Sequence, residues 1–489
     1  MHVRTGASAL AILAGFALSA TAAQAQSATN LIALQGLAPV SALGNTDAGK
    51  AALAANLSIT GAIQNGNAQQ PTLLPWPQQQ QLALRDAFIT SHNAYELADG
   101  LGTKLGAAYQ SLTSYTSSDD GKTAKSSSQV PSVQQLITYA FSATSADAGS
   151  GKFFFADATV GGKKPVSAEA AAILSAEKGV PDIFGRAYGL PAAGGQGKDP
   201  YDCHKTADHF ADPNGDSRPF QTEPVIVPIN GPDFFGVTRS NADYLCGPVQ
   251  DQRKSPSYPS GHTTYSYTES LTLALLVPQR YPQMILRAAE YGNNRIIIGA
   301  HYAMDILGGR TLATYDMAQL LANKKGYVGV ARKYSAYGEK ATVQIDDFPK
   351  ALAEARADLT KALSKACGGS VVACARQDKS RFASTAKGRR FYEVTQTYGL
   401  PVVFPDRAKS KEDVGKLAPE AGLLLTTAFP YLSLKQADKI LTQTEGPGGG
   451  FLDNGSAFGV YSRLNLYEAS MKAMALAPHK VAREKTAKK

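Results

Sequence analysis

The 489 residues, of which 44% are hydrophobic and 18% charged, are enough to bury one large core or two. The formal net charge of +9 is spread along the chain. Because no basic segment is interleaved with aromatic residues, the sequence indicates no nucleic-acid-binding module, and the charge instead favours solubility and attraction for anionic molecules.

The first 25 residues have the features of a cleaved export signal. His2 and Arg4 precede an apolar run that ends at Ala23-Gln24-Ala25, and this arrangement is typical of secretory peptides. A retained membrane anchor is the alternative, but it needs roughly 20 apolar residues, and this run is shorter and interrupted by Thr and Ser. We expect cleavage after Ala25, a periplasmic or secreted protein, and no transmembrane segment in the mature chain.

The next part of the chain changes character several times. Residues 26–74 are rich in Ala, Gly, Asn and Gln with little periodicity, which predicts a flexible N-terminal arm. Helical periodicity then runs over residues 78–107 and 133–141, whereas the Ser- and Thr-rich segment 113–128 is typical of a surface loop. The Gly-, Pro- and Asp-rich segment 188–252 predicts long irregular loops.

Three helical patterns follow one another with short connections, at residues 263–277, 283–293 and 301–322. Such connections favour antiparallel neighbours. The sequence therefore predicts an all-α fold, with an antiparallel helical bundle core over residues 75–325 and irregular loops. Residues 326–489 are predicted to form a mixed, mostly helical C-terminal extension of unknown role.

Four cysteines remain after the predicted signal: Cys203, Cys246, Cys367 and Cys374. An oxidising compartment favours pairing, and four cysteines allow three connectivities. Proximity along the chain favours Cys367–Cys374, which leaves Cys203–Cys246. A zinc site is the rival interpretation, but no C-x-x-C and no neighbouring histidine pair supports it, so we predict disulfides and no metal site.

The segment Pro259-Ser260-Gly261-His262 has the composition of an anion site at a helix start. Ser260 is a favoured N-cap for the helix predicted from Thr263, and amides at a helix N-terminus beside a glycine let an anion approach the backbone. His262 then projects from the first turn towards the same point. Taken alone, the tetrapeptide is equally compatible with a plain turn and a surface histidine.

A second segment contains Arg295, His301 and Asp305. His301 and Asp305 are four residues apart and share one face if the segment is helical, so the carboxylate can fix one ring nitrogen and leave the lone pair of the other for attack. Arg295 adds a planar fork that matches phosphate oxygens. A structural surface pair is the common alternative, and zinc lacks a third ligand at a suitable spacing.

A third piece, Ser217-Arg218-Pro219-Phe220, has little meaning by itself. In their order and residue identities, however, the three segments resemble the motifs of the type 2 phosphatidic acid phosphatase superfamily, which includes bacterial class A acid phosphatases and vanadium haloperoxidases. The pattern of that family is a lysine, six residues and Arg-Pro, then Pro-Ser-Gly-His, then Ser-Arg, five residues, His, three residues and Asp. The similarity runs from about Trp76 to Ala322.

The chain departs from this pattern in two places. Asn294 replaces the serine before the arginine of the last motif, and its amide can still hydrogen-bond. The expected lysine position is occupied by Ala211. We expect Lys205 to fill that role, with Lys198 as the second candidate, because the turn at residues 212–216 breaks the helical register between Lys205 and the Arg-Pro pair.

The resemblance implies a role for each matching residue. His301 attacks phosphorus and forms a phosphohistidine that water then hydrolyses, Asp305 orients His301, and His262 protonates the leaving group. The equatorial oxygens are held by the remaining residues of the motifs, namely Arg218, Arg295, Ser260, the Gly261 amide and Lys205. No cofactor and no metal is implied.

These roles predict an exported, metal-independent acid phosphatase that acts on small phosphomonoesters. One alternative is a haloperoxidase that binds vanadate at the same oxyanion site, since vanadate copies the geometry of phosphate. The other is a non-catalytic phosphate-binding envelope protein, suggested by the displaced lysine and the long extension. Whether the chain forms a homo-oligomer stays open.

Overall fold

The computed structural model describes residues 28–66, 72–117, 124–155, 216, 218–222, 228–253, 255–336 and 339–487. Within these residues helices dominate, and the strands form three two-stranded antiparallel hairpins, so the predicted all-α class is confirmed. The helices are α1 (Ala28–Leu37), α2 (Asp47–Gln64), α3 (Trp76–Arg85), α4 (Thr103–Ser111), α5 (Pro131–Phe155), α6 (Pro219–Thr222), α7 (Ala242–Leu245), α8 (Gly261–Leu276), α9 (Tyr281–Ile297), α10 (Ala303–Leu321), α11 (Phe348–Cys367), α12 (Val371–Ala375), α13 (Thr385–Thr397), α14 (Pro405–Ala408), α15 (Val414–Leu417), α16 (Leu423–Thr426), α17 (Leu434–Thr444), α18 (Ala457–Arg463) and α19 (Leu466–Ala487).

The three hairpins are short and lie between helices. Their strands are β1 (Thr113–Ser117) with β2 (Ala124–Ser128), β3 (Asn230–Pro232) with β4 (Thr238–Ser240), and β5 (Arg332–Ala336) with β6 (Glu339–Val343). The first of them occupies the segment that the sequence predicts as a surface loop. Its two strands consist mostly of Ser and Thr, with single Tyr and Ala residues. They therefore lack the alternation of apolar and polar residues by which a strand is recognised in a sequence.

Helix α8 is the centre of the bundle. It packs against α5, α9, α10 and α11, and every residue of α8 except Tyr265 is buried. Ser260 caps its N-terminus by accepting from the Thr263 amide at 3.2 Å, as predicted, although the helix begins at Gly261 rather than Thr263. Pro278 follows the last residues of α8 and opens a 3₁₀ turn, because proline cannot continue the helical hydrogen bonds.

Two consecutive glycines let α10 approach the turn that precedes α8. A Cβ atom at Gly309 would lie 2.5 Å from the Ser260 carbonyl oxygen, and one at Gly308 would lie 2.6 Å from the Tyr258 ring. Glycine inside a helix costs about 1 kcal/mol relative to alanine. Here the cost is offset by a close contact that brings the segment carrying His301 against the segment carrying His262.

The N-terminal segment differs from the flexible arm expected from composition. Residues 28–66 form α1, a 3₁₀ segment and α2, and these pack against α5, α9, α10 and α18. The Asn56 side chain accepts from the Met304 amide at 2.9 Å, and the Thr60 hydroxyl accepts from the Ala303 amide at 3.1 Å. These bonds satisfy two of the exposed amides in the first turn of α10. Small and polar residues make this buried face, so hydropathy alone does not reveal it.

The C-terminal extension packs directly on the bundle. Helix α11 contacts α4, α5 and α8, α18 contacts α10, and α19 contacts α9. Cys367 and Cys374 form the disulfide expected from their proximity, with Cα atoms 6.5 Å apart. Cys246 is also disulfide-bonded, and Cys203, the partner predicted for it, lies outside the described residues. No helix in the described part of the chain is both long and apolar enough to cross a membrane.

Candidate active site

His301 lies in the short connection between α9 and α10, immediately before the N-terminus of α10. Its Nδ1 is 3.1 Å from a carboxylate oxygen of Asp305, and both side chains are fully buried. The same oxygen accepts from the Tyr302 amide at 2.9 Å. The His-x-x-x-Asp pair is therefore formed at a helix start, where the carboxylate reaches back, and not along one face of a continuous helix as the sequence suggested.

Ser257 adds a second donor to Asp305. Its hydroxyl donates to the same carboxylate oxygen in a short contact and lies 3.4 Å from His301 Nδ1. The backbone also joins the two motifs, since the Ser260 amide donates to the Asp305 carbonyl at 3.1 Å. Sequence reasoning missed Ser257, although it lies only two residues before the Pro-Ser-Gly-His segment. Its role becomes visible only once the turn is seen to fold against α10.

Arg218 approaches His301 from the other side of the ring. One guanidinium nitrogen is 3.1 Å from His301 Nε2 and donates to the Ala300 carbonyl at 3.0 Å. The other donors reach the backbone of residues 255 and 256 at 2.8 and 3.0 Å. With Nδ1–H directed at Asp305, the lone pair of Nε2 faces Arg218. The nitrogen that is free to attack therefore points at the place where cationic donors converge.

His262 lies in the first turn of α8, close to the entrance of the site. It is 8% exposed, and among the described residues its Nε2 has no hydrogen-bond partner. The ring of Tyr265 lies 5.9 Å away, centroid to centroid, and packs in turn on Phe141 at 4.6 Å. Burial lowers the pKa of His262 well below its usual value, and the charges of Arg295 and Lys152 lower it further.

Arg295 is fully buried in the last turns of α9. Its guanidinium donates to the Ala87 carbonyl at 3.4 Å, and its charge acts on both histidines of the site. The preceding Asn294 bonds away from the site, because its amide donates to Asp86 at 2.8 Å and accepts from Gln79 at 2.8 Å. Asn294, which stands where the family pattern has serine, thus helps to hold α3 against α9.

Lys152 joins this group from the last turn of α5, more than 60 residues before Arg218 in sequence. Its Cε lies 3.4 Å from the position that a Cβ of Gly261 would occupy. The Lys152 charge acts on His262, His301 and Asp305. No motif marks this lysine, and only the packing of α5 along α8 brings it to the site.

The electrostatics of the site are those of a buried, cationic cup. Burial lowers the pKa of His301 well below its usual value, and the nearby Arg218 and Lys152 add to this effect, so the ring is neutral and its lone pair is available. Burial raises the pKa of Asp305 to about 7 against the opposing hydrogen bonds from Ser257 and the Tyr302 amide. Asp216, also buried, accepts from the Tyr258 amide at 3.0 Å.

The structure thus brings together seven of the residues that the sequence singled out, which are Arg218, Ser260, Gly261, His262, Arg295, His301 and Asp305. The Ser260 hydroxyl is occupied as the cap of α8, where it accepts from Thr263. Lys205 and Lys198, the two candidates for the family lysine, lie outside the described residues. Within the described ranges, no group of three or more His, Cys, Asp and Glu side chains is placed to hold a metal ion.

Comparison with known proteins agrees with the sequence motifs. Residues 223–321 match the family model described as the PAP2 superfamily. The chain is 30% identical over 146 residues to a non-specific acid phosphatase of Providencia stuartii, an alignment that covers 30% of this chain and 56% of that protein. No solved structure matches the chain. The resemblance to the type 2 phosphatidic acid phosphatase superfamily is confirmed for this part of the sequence.

Two further relatives match over shorter segments. A non-specific acid phosphatase of Salmonella typhi is 39% identical over 77 residues, which are 15% of this chain and 31% of that protein. An acid phosphatase of Zymomonas mobilis is 39% identical over 67 residues, which are 14% of this chain and 25% of that protein. The chain therefore spans about half the length of the first relative and about a third or less of the other two.

Proposed function

We propose that this chain is an exported, metal-independent acid phosphatase that hydrolyses phosphomonoesters through a phosphohistidine on His301. One observation carries the proposal. The Nε2 lone pair of a neutral, carboxylate-oriented imidazole faces a buried site in which cationic side chains converge. The family match and the names of the relatives support phosphate-ester hydrolysis as the reaction of such a site.

In the first step the Nε2 lone pair of His301 forms a bond to phosphorus, and the bond from phosphorus to the ester oxygen breaks. The electron pair of that bond goes to the leaving oxygen. Asp305, held by Ser257 and the Tyr302 amide, keeps the proton of His301 on Nδ1 and stabilises the positive charge that develops on the ring. Arg218 then exchanges its contact with Nε2 for the equatorial oxygens of the phosphoryl group.

His262 supplies the proton to the leaving oxygen. Its depressed pKa means that it is neutral in the unoccupied site, because burial and the charges of Arg295 and Lys152 oppose the imidazolium form. A bound phosphoryl group offsets this positive field and favours protonation of His262. Phosphomonoesters have a second pKa near 6, so at acidic pH the substrate monoanion itself delivers the proton that His262 requires.

In the second step His262, now neutral, takes a proton from water as the water oxygen attacks phosphorus. The bond between phosphorus and His301 Nε2 breaks, its electron pair returns to the ring, and inorganic phosphate leaves. The cationic donors act in both steps, since each passes through a phosphoryl group whose charge is spread over its equatorial oxygens. This scheme needs neither a metal nor a cofactor.

Export is supported by the leader-like first 25 residues and by the disulfides of Cys246 and of Cys367 with Cys374. The small, buried site at the start of α8 favours compact phosphomonoesters. Tyr265 and Phe141 beside His262 provide an apolar side to the entrance on which the organic part of a substrate can rest.

The proposal is tested by p-nitrophenyl phosphate turnover at pH 5 to 6 with and without EDTA. We expect turnover that EDTA does not reduce and that vanadate inhibits. Loss of activity on chelation would overturn the metal-free mechanism. Absence of any phosphatase activity would overturn the proposed function. In that case a halide-oxidation assay with and without vanadate tests the haloperoxidase alternative, and titration calorimetry with phosphate tests simple binding.

A further inference from the structure

Lys152 is the cationic residue of the site that no motif predicts. It belongs to the last turn of α5, which lies across the Pro-Ser-Gly turn at the start of α8. A Cβ atom on Gly151 would be 3.2 Å from the Pro259 ring, and the Lys152 Cε lies 3.4 Å from the Cβ position of Gly261. The aliphatic part of the lysine therefore rests on the backbone that opens the anion site.

Among the described residues, the ammonium group of Lys152 has no partner that explains its position. Within the described residues no hydrogen bond and no ion pair holds it, and the residue is partly buried. Its surroundings are unfavourable for a cation. Burial lowers its pKa well below the usual value, and the charge of Arg218 lowers it further, with Asp216 and Asp305 opposing this only in part.

A lysine in a field of like charge gains stability when an anion enters that field. The charges of Lys152, Arg218 and Arg295 all act on His301, and the guanidinium of Arg218 lies 3.1 Å from its Nε2. An ammonium is a compact charge with three rotatable donors on a flexible stem, and it suits a ligand whose oxygens move during reaction.

We propose that Lys152 contacts the phosphoryl oxygens directly and fills the role of the lysine that is missing before the Arg-Pro pair. The inference rests on the proposed function, because it assigns a ligand to the same site. It replaces the expectation from sequence that Lys205 does so. When a phosphate dianion binds, its negative charge raises the pKa of Lys152 and favours the ammonium form.

The test compares inorganic phosphate binding in three single variants of the full chain by titration calorimetry. Loss of one charge-assisted hydrogen bond weakens binding about 10- to 100-fold, so we expect that change for Lys152→Met. The Lys205→Met and Lys435→Met variants should remain within about twofold of the wild type. Lys435 is an exposed residue of α17 and controls for the loss of a positive charge.

Phosphate affinity within about twofold of wild type for Lys152→Met overturns the inference, whatever Lys205→Met does. If the wild type itself binds no phosphate, the proposed function fails, and this outcome is distinct. Repeating the titration in two buffers of different protonation enthalpy supplies a readout that a structural role would not change. The wild type should take up more protons per bound phosphate than Lys152→Met, and equal uptake contradicts the assignment.

Chemical labelling gives a measurement on the wild type that does not depend on how the variants fold. Lys152 should react with acetic anhydride faster than the exposed Lys435, because burial lowers the pKa of its amine well below the usual value. Bound phosphate should slow its acetylation at least about tenfold and leave the rate at Lys435 unchanged, as followed by peptide mass spectrometry. Equal acetylation rates at Lys152 with and without saturating phosphate would overturn the inference.

Discussion

Helix α9 carries two fully buried arginines eight residues apart, Arg287 and Arg295, and their surroundings are opposite in character. Arg287 is surrounded by carboxylates. It donates to both oxygens of Asp86 at 2.7 Å and to Asp99 at 2.7 Å, and it lies 3.7 Å from Glu290. These charges raise the pKa of Arg287 well above its usual value despite burial.

Around Arg295 the balance is reversed. Arg218 and Lys152 bring further positive charge, and among the described residues the acids whose charges act on these two side chains are Asp216 and Asp305. Burial raises the pKa of Asp305 to about 7, and the hydrogen bonds from Ser257 and the Tyr302 amide oppose this shift in favour of the carboxylate. Arg218 donates to three backbone carbonyls, which are neutral acceptors.

The comparison separates two uses of a buried cation. An arginine compensated by carboxylates on every side holds elements together, as Arg287 holds α9 to the segments around Asp86 and Asp99. A group of cations that outnumbers the described carboxylates around it is stabilised further when an anion joins it. The same helix thus has a structural arginine in its middle and, at its end, the arginine that the proposed mechanism assigns to phosphate binding.

The largest expected effect is that of removing the nucleophile on the cationic side of this comparison. His301→Ala should lower kcat for p-nitrophenyl phosphate by at least about 10⁴-fold, because the ring forms the covalent bond and the remaining residues only bind and polarise the phosphoryl group. The measurement is the initial rate at pH 5 to 6. The control for folding is the denaturation curve of the variant, which should match that of the wild type.

A residual rate within about tenfold of the wild type would contradict the assignment of His301. If His301→Ala unfolds at a lower denaturant concentration than the wild type, His301→Asn replaces it in the test, because asparagine keeps a polar side chain of similar reach. We expect the Asn variant to be equally inactive and to unfold at the denaturant concentration of the wild type.

The comparison itself is tested by replacing each arginine of α9 with methionine. Arg287→Met leaves buried carboxylates without their partner and should reduce the free energy of unfolding by about 3–5 kcal/mol. Arg295→Met should instead lower kcat/KM by about 10²- to 10³-fold and should not reduce the free energy of unfolding. Urea denaturation and steady-state kinetics on both variants check the two outcomes. If the two variants lose activity and stability in the same proportion, the distinction between the arginines is wrong.

A smaller effect is expected from the N-terminal helix that supports the site. Asn56→Ala removes the acceptor of the Met304 amide and leaves a buried donor unsatisfied, at a cost of about 1–3 kcal/mol. The variant should also lose some turnover, because the same turn of α10 carries Asp305. Ser58→Ala, an exposed position on the same helix, is the matched control and should change neither property. Wild-type stability for Asn56→Ala would show that α2 does not hold this turn.

The smallest effect concerns the pH dependence of stability. Burial raises the pKa of Glu96 to about 7, above its usual value near 4.3. Between these two pH values Glu96 binds more protons in the folded protein than in the unfolded chain, so its contribution to the free energy of unfolding should fall as pH rises from about 4 to about 7 and then level off. Asp147, with a pKa of about 6, contributes in the same direction.

Glu96→Gln should weaken this decline and stabilise the protein above pH 7 by on the order of 1–3 kcal/mol. The measurement is urea denaturation at several pH values. The control is Asp406→Asn, at a side chain that is 91% exposed, and it should leave the profile unchanged. A pH profile of Glu96→Gln that runs parallel to that of the wild type between pH 4 and 7 would contradict the raised pKa of Glu96.

Part of this site is predictable from sequence, and the limit has a physical cause. His262, Arg295, His301 and Asp305 are found because they lie in two short segments whose spacing is fixed by the helix starts and ends that contain them. Local backbone geometry is enough to relate such residues. The bundle is predictable for the same reason, since apolar periodicity reports directly on which residues a helix buries.

Lys152, Ser257 and Asn56 are not predictable in this way, because each reaches the site through contacts between segments distant in sequence. Lys152 depends on the packing of α5 against the turn at Gly261, and Asn56 depends on a helix whose buried face is small and polar. Hydropathy patterns carry no information on either contact. The glycine pair in α10 is the one local signal that could have indicated a close approach.

The central claim is that one oriented imidazole receives the phosphoryl group, and trapping tests it most directly. The enzyme is mixed with phosphate-labelled substrate and quenched within milliseconds in base, since a phosphohistidine is lost in acid, and the labelled peptides are identified by mass spectrometry. We expect label on His301 in the wild type and none on His301→Ala. Label on another residue, or equal labelling of the variant, would contradict the account.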